Sequence, residues 1–382
     1  MSRSEVLGLG GRAAASTGLA ALLAPSASAT PSGSSSSSLG AVLYDTRSSS
    51  FLPATPERYL KDALAAAGAH DGSPLPRVIF AGEEHTHRLH HAIQLDVIKA
   101  VDALDDAPTF IGLEMCWRQH QPALDAFVYG GEGQGGGDLE LLARRTAWDR
   151  SWGYPIELYK PILDLARQRQ MRLCGLNAPY AVVQAVSRVG LAGVAPQLRD
   201  YLPEVDLTNS EHRRRFVEAI GGKIDDETGA ILPPEREGLH GPMSVADVQR
   251  SYEAMALWDE FMASSIAYYI YDEPPEGTNG HPTGFKQATG NERMVVLAGS
   301  THVRGRVGLP DRYTRRTKLP TFTMVPMSVP WSSVTNRPLG LAKTEPASEA
   351  DWVLYTRPDK GQAIRELSRK TERTLSKNVA FV

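Results

Sequence analysis

The sequence predicts an α/β fold whose central, mostly parallel sheet is flanked by helices and carries a helical lid insertion. The first observation is a motif that recurs along the chain: a short apolar run ends in glycine, and ionisable or polar residues follow it directly. Apolar runs without alternation are typical of strands buried on both faces of a parallel sheet. The second observation is that segments with helical periodicity separate these runs, which is the pattern of βαβ units.

The predicted elements follow each other in this alternating order. The motif predicts strands at Arg77 to Glu83, Thr109 to Glu114, Met171 to Asn177 and Met294 to Gly299. Helical periods cover residues 86–104, 119–129, 156–170 and 245–271, and two further strand candidates lie at 321–325 and 351–356. The polar, proline-containing stretch that begins at Pro203 opens the region 203–271, which we interpret as the lid insertion.

The composition is that of an ordinary globular protein. Of the 382 residues, 42% are hydrophobic and 22% are charged, and the formal net charge is −3 at pH 7. A chain of this length buries a large core, and its charge gives no reason to expect nucleic acid as a partner. The two cysteines, Cys116 and Cys174, fit a pair of buried free thiols better than a disulfide or a soft-metal pair.

Residues 1–50 are expected to be a targeting segment and a disordered, serine-rich linker, followed by one domain over residues 51–382. A small-residue apolar stretch follows two arginines and precedes Ala27-Ser28-Ala29, which has the form of a signal cleavage site. The composition is similar to that of presequences that lead to plastids or the thylakoid lumen, so we expect a plastid or exported protein. A disordered tail without a targeting role is the alternative. We expect no transmembrane segment elsewhere.

Ionisable side chains stand where the predicted strands end. Glu83 and His85 follow the first strand, Glu114 ends the second, Asn177 ends the third and His302 follows the fourth. Ligands bind at the carboxyl ends of the strands in open parallel sheets, so we expect these residues to converge. A carboxylate beside an imidazole is what a divalent metal site or a general acid/base pair requires. A purely structural hydrogen-bond network is the alternative.

A histidine cluster accompanies the first strand end. His87 and His91 are spaced i, i+4 and share one helix face if the helix begins near Thr86. Two such imidazoles can bind a metal or lie near the edge of a haem. We expect His90 to face solvent, and we favour His85 as the functional member because it is nearest to the strand end.

The long helix at 245–271 holds an acidic residue and several phenols. Asp259 lies in an otherwise apolar stretch, where it either pairs with an arginine or histidine or faces water. Tyr252 belongs to the phenol-rich part of this region. A tyrosine phenolate is one type of haem ligand, and interior packing with the hydroxyl at the rim is the commoner arrangement.

Six motifs in a fixed order give the chain a family likeness. They are Gly82 to His85, Gly112 to Met115, Trp148 to Pro161, Asn177 to Pro179, Leu257 to Ala263 and Gly299 to Val303. In this order they resemble the ChaN-like haem-binding family, within the broader Tiki and erythromycin-esterase-like superfamily. The likeness runs from about Val78 to Met327.

The resemblance implies an α/β fold with a pocket at the carboxyl ends of the strands, and two functions. The first is binding of haem or a related tetrapyrrole, in which His85 or a lid tyrosine is the iron ligand. The alternative is an esterase-like or protease-like hydrolase, with a divalent metal or without one, that uses the same glutamate and histidine residues. A third hypothesis is a fold that keeps these motifs for packing and has lost its chemistry.

These patterns and the resemblance together define the candidate residues. The candidate catalytic and metal-binding residues are Glu83, His85, Glu114 and His302, and the candidate cofactor-binding residues are His85, His87, Asn177, Tyr252 and Asp259. The expected partner is haem or a small-molecule ligand. A homodimer is compatible with this assignment.

Overall fold

The core of the computed structural model is an eight-stranded sheet with helices on both faces. The structure describes residues 41–53, 61–62, 64–65, 76–131, 136–199, 202–232, 244–270, 290–332, 338–339 and 346–359. All of them belong to one unit of the chain, residues 37–382.

Eight strands form this sheet, and helices separate most of them along the chain. They are β1 (Ala41–Asp45), β2 (Ser50–Pro53), β3 (Val78–Glu83), β4 (Thr109–Trp117), β5 (Leu173–Asn177), β8 (Arg293–Gly299), β9 (Thr321–Ser328) and β10 (Trp352–Thr356), and a separate hairpin is formed by β6 (Lys223–Ile224) and β7 (Ile231–Leu232). The order in the sheet is β2-β1-β10-β9-β3-β8-β4-β5. The strands from β10 to β5 are parallel to their neighbours, and β1 pairs antiparallel with β10 and β2.

Helices cover both faces of the sheet. They are α1 (Arg88–Asp102), α2 (Gln121–Tyr129), α3 (Leu139–Arg145), α4 (Trp148–Ser151), α5 (Lys160–Gln168), α6 (Tyr180–Gly193), α7 (Pro196–Arg199), α8 (Ser210–Ala219), α9 (Val245–Ile270), α10 (Ser300–Val303), α11 (Leu309–Thr317) and α12 (Pro346–Glu349). Side chains of α1, α2 and α5 form one core with the sheet, and those of α9 and α11 form the other. None of the described helices is long and apolar enough to cross a bilayer.

The register of the central strands brings their carboxyl ends to one edge. Glu83 of β3 is opposite Gly299 of β8, and Leu113 of β4 is opposite Leu297 of β8. All six residues of β3 are buried, as expected for a strand covered on both faces. The edge therefore gathers the residues that follow β3, β4, β5 and β8.

The predicted α/β fold is confirmed, with one boundary corrected. The four glycine-ended runs form β3, β4, β5 and β8, and the two further candidates form β9 and β10. The expected linker extends too far, because Ala41–Asp45 is a strand whose Ala41 and Leu43 are buried against the core. The targeting segment and the serine run lie outside the described residues. Within the predicted lid region 203–271, the described residues form α8, the β6–β7 hairpin and α9.

Candidate functional site

Glu83 is a buried carboxylate at the end of β3 with several donors around it. Its Oε1 accepts a 2.9 Å hydrogen bond from His85 Nδ1 and a 2.5 Å hydrogen bond from the hydroxyl of Tyr159. Its Oε2 accepts a 2.9 Å hydrogen bond from Gln94 Nε2 of α1. These donors come from one face of the sheet and replace the water that the buried carboxylate has lost.

Glu83 and His85 form the first pair of the site, and charge and hydrogen bonding fix their ionisation. Burial raises the pKa of Glu83, but hydrogen bonds from His85 and His91 outweigh burial and hold that pKa well below its usual range. Burial lowers the pKa of His85, but the hydrogen bond to Glu83 and the nearby charge of Glu114 raise it overall. Since an ionised carboxylate only accepts, His85 donates through Nδ1, and this fixes the orientation of its ring.

His85 is the accessible member of the pair. Its side chain is 25% exposed, whereas that of Glu83 is fully buried. Two aromatic rings flank it, with ring-centroid distances of 4.6 Å to Trp152 and 5.0 Å to Tyr154. Within the described part of the chain, no hydrogen-bond partner is seen for its Nε2. Among the described residues, the pair therefore leaves one ring nitrogen without a hydrogen bond and holds the other on a buried carboxylate.

The second pair is Glu114 and His302, and Asp259 extends it. His302 Nε2 lies 3.3 Å from Glu114 Oε1, and its Nδ1 lies 2.6 Å from Asp259 Oδ1. All three residues are buried. Asp259 belongs to α9, so this pair is supported from the face of the sheet opposite to that of Tyr159 and Gln94. The expectation that Asp259 pairs with an arginine or histidine is confirmed.

The second pair is an imidazolium between two carboxylates. Burial lowers the pKa of His302, but Glu114 and Asp259 outweigh it and raise that pKa to about 10. Burial raises the pKa of Asp259, but His302 and His212 bring it well below its usual range. The pKa of Glu114 is also lowered, against burial, mainly by His302. At neutral pH, His302 therefore donates from both ring nitrogens.

The buried polar network continues beyond Asp259. His212 Nε2 of α8 lies 3.1 Å from Asp259 Oδ2, and His212 Nδ1 lies 3.2 Å from a guanidinium nitrogen of Arg312. Since a guanidinium only donates, Nδ1 of His212 is the acceptor. Arg312 also lies 3.3 Å from Glu260. The second pair is thus one end of a charged chain that runs into the protein interior.

A cavity of about 490 Å³ adjoins this network. His212 and residues of α8, α9, α10 and α12 line it. Its two arginines, Arg215 and Arg304, both bond to the carboxylate of Glu349. The two positive charges on its wall are therefore paired within the protein.

Gly299 is the point where the two pairs meet. Its backbone N–H donates a 2.6 Å hydrogen bond to Glu114 Oε2. A Cβ atom at this position would lie 2.7 Å from His85 Cε1, so the imidazole packs directly on the glycine. The absence of a side chain at Gly299 allows His85 of the first pair to approach Glu114 of the second. Four of the five residues predicted to converge, Glu83, His85, Glu114 and His302, therefore do so at this edge.

Asn177 joins the site, and Tyr252 does not. Asn177 Nδ2 donates a 2.9 Å hydrogen bond to the backbone oxygen of Glu114, and its Oδ1 accepts from the N–H of Ala178. It therefore supports the strand end from β5. Tyr252 is fully buried, and its hydroxyl points to the backbone oxygen of Asn209. Its packing is that of an interior tyrosine.

The histidine cluster divides between two environments. His91 lies 3.4 Å from the carboxylate of Glu83 and so belongs to the first pair. His87 bonds to the backbone oxygen of Arg357 and stacks on His90 with a ring-centroid distance of 3.7 Å. The expectation that His90 faces solvent is wrong: it is 1% exposed, because its Nδ1 accepts from the N–H of Glu84. Burial lowers its pKa to about 2.

The sequence analysis did not predict the residues that bond to the predicted site residues. Tyr159 and Gln94 bond to Glu83, and His212 faces Asp259. A signal existed for Tyr159, because the aromatic motif at 148–161 already formed part of the family likeness. The same motif supplies the two rings beside His85. Gln94 and His212 lie on ordinary amphipathic helices, where the sequence does not distinguish them.

The remaining predictions concern metal binding and the state of the two cysteines. Among the described residues, no group of three or more His, Cys, Asp or Glu side chains is arranged to hold a metal ion. Cys116 and Cys174 are free and buried, as predicted. Their side chains belong to the cores on opposite faces of the sheet, which separates the two thiols.

A comparison with protein families gives one match that covers more than half of the chain. The family model described as haem-binding uptake, Tiki superfamily, ChaN matches residues 75–313. The chain belongs to this family. No match is found among curated proteins.

A solved structure shares the fold of this chain, and others are more distantly similar. A structure described as cofacial haem binding to ChaN of Campylobacter jejuni is 16% identical, with a TM-score of 0.53, and the match covers 83% of this chain and 97% of that chain. An erythromycin esterase mutant in its open conformation is 10% identical over 73% of this chain and 90% of its own, with a TM-score of 0.38. A succinoglycan biosynthesis protein is 10% identical over 79% and 91%, with a TM-score of 0.41.

Proposed function

We propose that this ChaN-family protein binds haem, or a related iron tetrapyrrole, at the carboxyl edge of the sheet, with His85 as the iron ligand. One observation carries the proposal: His85 Nδ1 is held by the buried carboxylate of Glu83, while the side chain is 25% exposed and its Nε2 has no hydrogen-bond partner among the described residues. A ligating histidine usually donates its second ring nitrogen to a carboxylate or carbonyl, which orients the ring and raises its basicity. The donor set therefore fits haem iron, which accepts an axial nitrogen.

The surroundings of His85 suit a flat, apolar ligand. Trp152 and Tyr154 place two aromatic rings beside the imidazole. Aromatic walls with a few fixed polar groups are the usual composition of a cofactor site. Glu114 lies beside His85 across Gly299, and the imidazolium of His302 is held between Glu114 and Asp259. Tyr252 is buried inside the protein, so it is not the ligand in this proposal.

Titration with hemin tests this assignment. We expect the wild-type chain to shift the Soret band of hemin at micromolar concentration and His85→Ala to weaken that binding at least about tenfold. Tyr129→Ala is the control, because Tyr129 is 49% exposed at the far end of α2. Unchanged hemin binding by His85→Ala, with circular dichroism showing a folded protein, would exclude His85 as the ligand. A wild-type chain that binds no hemin would overturn the function itself.

A hydrolase is the second candidate, and the same hydrogen bond favours it. An imidazole oriented by a buried carboxylate is the arrangement of a general base, and the side chain of His85 is 25% exposed. The residues described here give this base without a metal ligand set. Elemental analysis and a panel of ester and peptide substrates test this candidate. Turnover that Glu83→Gln or His85→Ala reduces by roughly 10²–10⁴ would support it, and its absence in the wild type would reject it.

A further inference from the structure

Three aromatic rings stack at the carboxyl ends of β4 and β5. The ring of Trp117 is stacked with that of His120, with centroids 4.7 Å apart and planes inclined by 22°. It is also nearly parallel to the ring of Tyr180, with centroids 6.4 Å apart and an inclination of 10°. Trp117 ends β4, His120 belongs to the 3₁₀ turn that follows, and Tyr180 begins α6. We call these three residues the aromatic stack.

Hydrogen bonds and strand pairing hold the aromatic stack in place. His120 Nδ1 accepts a 3.2 Å hydrogen bond from the backbone N–H of Trp117. Gln184 Nε2 donates a 3.0 Å hydrogen bond to the hydroxyl of Tyr180. Trp117 is itself paired with Asn177 of β5. Rings that are already ordered lose less entropy when a ligand binds, so this surface is prepared for an occupant.

The aromatic stack is open to solvent on the Tyr180 side. Tyr180 is 52% exposed and Trp117 is half-buried, whereas His120 is 7% exposed. Burial lowers the pKa of His120 to about 4, so the stack carries no charge at neutral pH. An exposed aromatic surface on a soluble domain often marks a binding site. An uncharged stack of parallel rings suits the flat, conjugated ring face of a partner, which prefers offset stacking.

The aromatic stack and His85 occupy the same edge of the sheet. Only β8 lies between β3, which positions His85, and β4, which ends in Trp117. Two steps of the usual strand spacing correspond to about 10 Å. Asn177 connects the two regions, because it pairs with Trp117 and donates to the backbone of Glu114.

We propose that the aromatic stack is a docking surface for the face of a tetrapyrrole ring, and that Tyr180 acts through its ring rather than through its phenol oxygen. This inference rests on the proposed haem function and adds a second contact that needs no iron. The hydroxyl of Tyr180 already accepts from Gln184, and the ring itself is the exposed surface.

Metal-free protoporphyrin IX is the probe, because it stacks without ligation. Fluorescence titration of the full chain is compared for the wild type, Tyr180→Ala, Tyr180→Phe and the control Tyr129→Ala. Tyr129 is matched in exposure, at 49% against 52%. We expect Tyr180→Ala to raise the Kd for protoporphyrin roughly 2- to 10-fold, which corresponds to the interaction free energy of one aromatic pair. Tyr180→Phe and Tyr129→Ala should remain within about twofold of the wild type.

Two results would overturn the inference. Wild-type affinity in Tyr180→Ala would show that the ring makes no contact. A loss in Tyr180→Phe as large as that in Tyr180→Ala would show that the hydroxyl is what binds. Hemin titrations separate this failure from that of the proposed function. If hemin binding depends on His85 but not on Tyr180, the proposed role of the aromatic stack is rejected and the proposed haem function stands. If protoporphyrin binds but hemin is not ligated, His85 is rejected as the iron ligand and the proposed role of the aromatic stack stands.

Discussion

The hydroxyl of Tyr159 lies 2.5 Å from Glu83 Oε1 and donates to this buried carboxylate from a position 76 residues further along the chain. The contact joins the segment before α5 to the end of β3. Burial, followed by the negative charge of Glu83, raises the pKa of Tyr159 well above its ordinary value, so the phenol stays protonated and remains a donor. The orientation of His85 depends on the same carboxylate.

Removing this hydroxyl is expected to destabilise the protein. Tyr159→Phe leaves Glu83 buried with one donor fewer, and a hydrogen bond to a charged group is worth about 1.5–3 kcal/mol. Urea unfolding at neutral pH measures the change. Tyr154→Phe is the matched control, because Tyr154 is half-buried and flanks His85 without a hydrogen bond to Glu83. Equal stability of Tyr159→Phe and the control would contradict the prediction.

The His302–Asp259 contact predicts a dependence of stability on pH. The pKa of His302 in the folded protein is about 10, above its ordinary value of 6.5. Its contribution is therefore complete below about pH 6.5 and is lost as the pH rises toward 10. Asp259→Asn removes one of the two carboxylates that hold the proton. We expect the difference in unfolding free energy between wild type and variant to shrink across this window, by at most about 1.4 kcal/mol per pH unit.

Denaturant unfolding at a series of pH values between 6 and 9.5 tests this dependence. Asp164→Asn is the control, because Asp164 forms a solvent-exposed pair with Lys160. The stability difference for this control should stay constant over the same range. A constant difference for Asp259→Asn as well would show that His302 does not hold its proton on Asp259.

Gly299→Ala is expected to displace His85. The backbone of Gly299 has φ −55° and ψ 141°, which alanine adopts without strain. The new Cβ would lie 2.7 Å from Cε1 and 3.0 Å from Nε2 of His85, so the ring must move. We expect a loss of about 1–3 kcal/mol of stability from overpacking, with weaker hemin binding. Urea unfolding and hemin titration measure these effects. Gly131→Ala, where nothing lies within 4 Å, should change neither.

The two thiols are expected to be unreactive in the folded protein. Burial raises the pKa of Cys116 to about 12 and raises that of Cys174 further. Since the thiolate is the reactive form, a thiol reagent such as DTNB should label neither cysteine in native buffer and both in denaturant. Oxidation should form no bond between them, because the sheet separates the two side chains. Rapid labelling of the native protein would contradict this prediction.

Much of the sheet could be predicted from local pattern. A strand covered on both faces must be apolar throughout, so β3 and β8 are visible as uninterrupted runs. Glycine at each run's end marked where Glu83 and His302 follow. Contacts between residues far apart in the chain have no comparable local signal in the sequence. The contact between Asp259 and His302 spans 43 residues and depends on how α9 crosses the sheet, which periodicity does not encode.

The sequence by itself determined the parallel strands, the edge at which they end and the four ionisable residues gathered there. The tertiary structure decided that those residues form two pairs with partners on opposite faces of the sheet. Glu83 and His85 take their partners from one face of the sheet, and Glu114 and His302 take theirs from the other. The helices that cover each face decide which donors reach a buried carboxylate, and their packing is set by contacts far apart in the chain. For that reason the glycine-ended runs located the site, and the packing of Tyr159 and Asp259 set its charge.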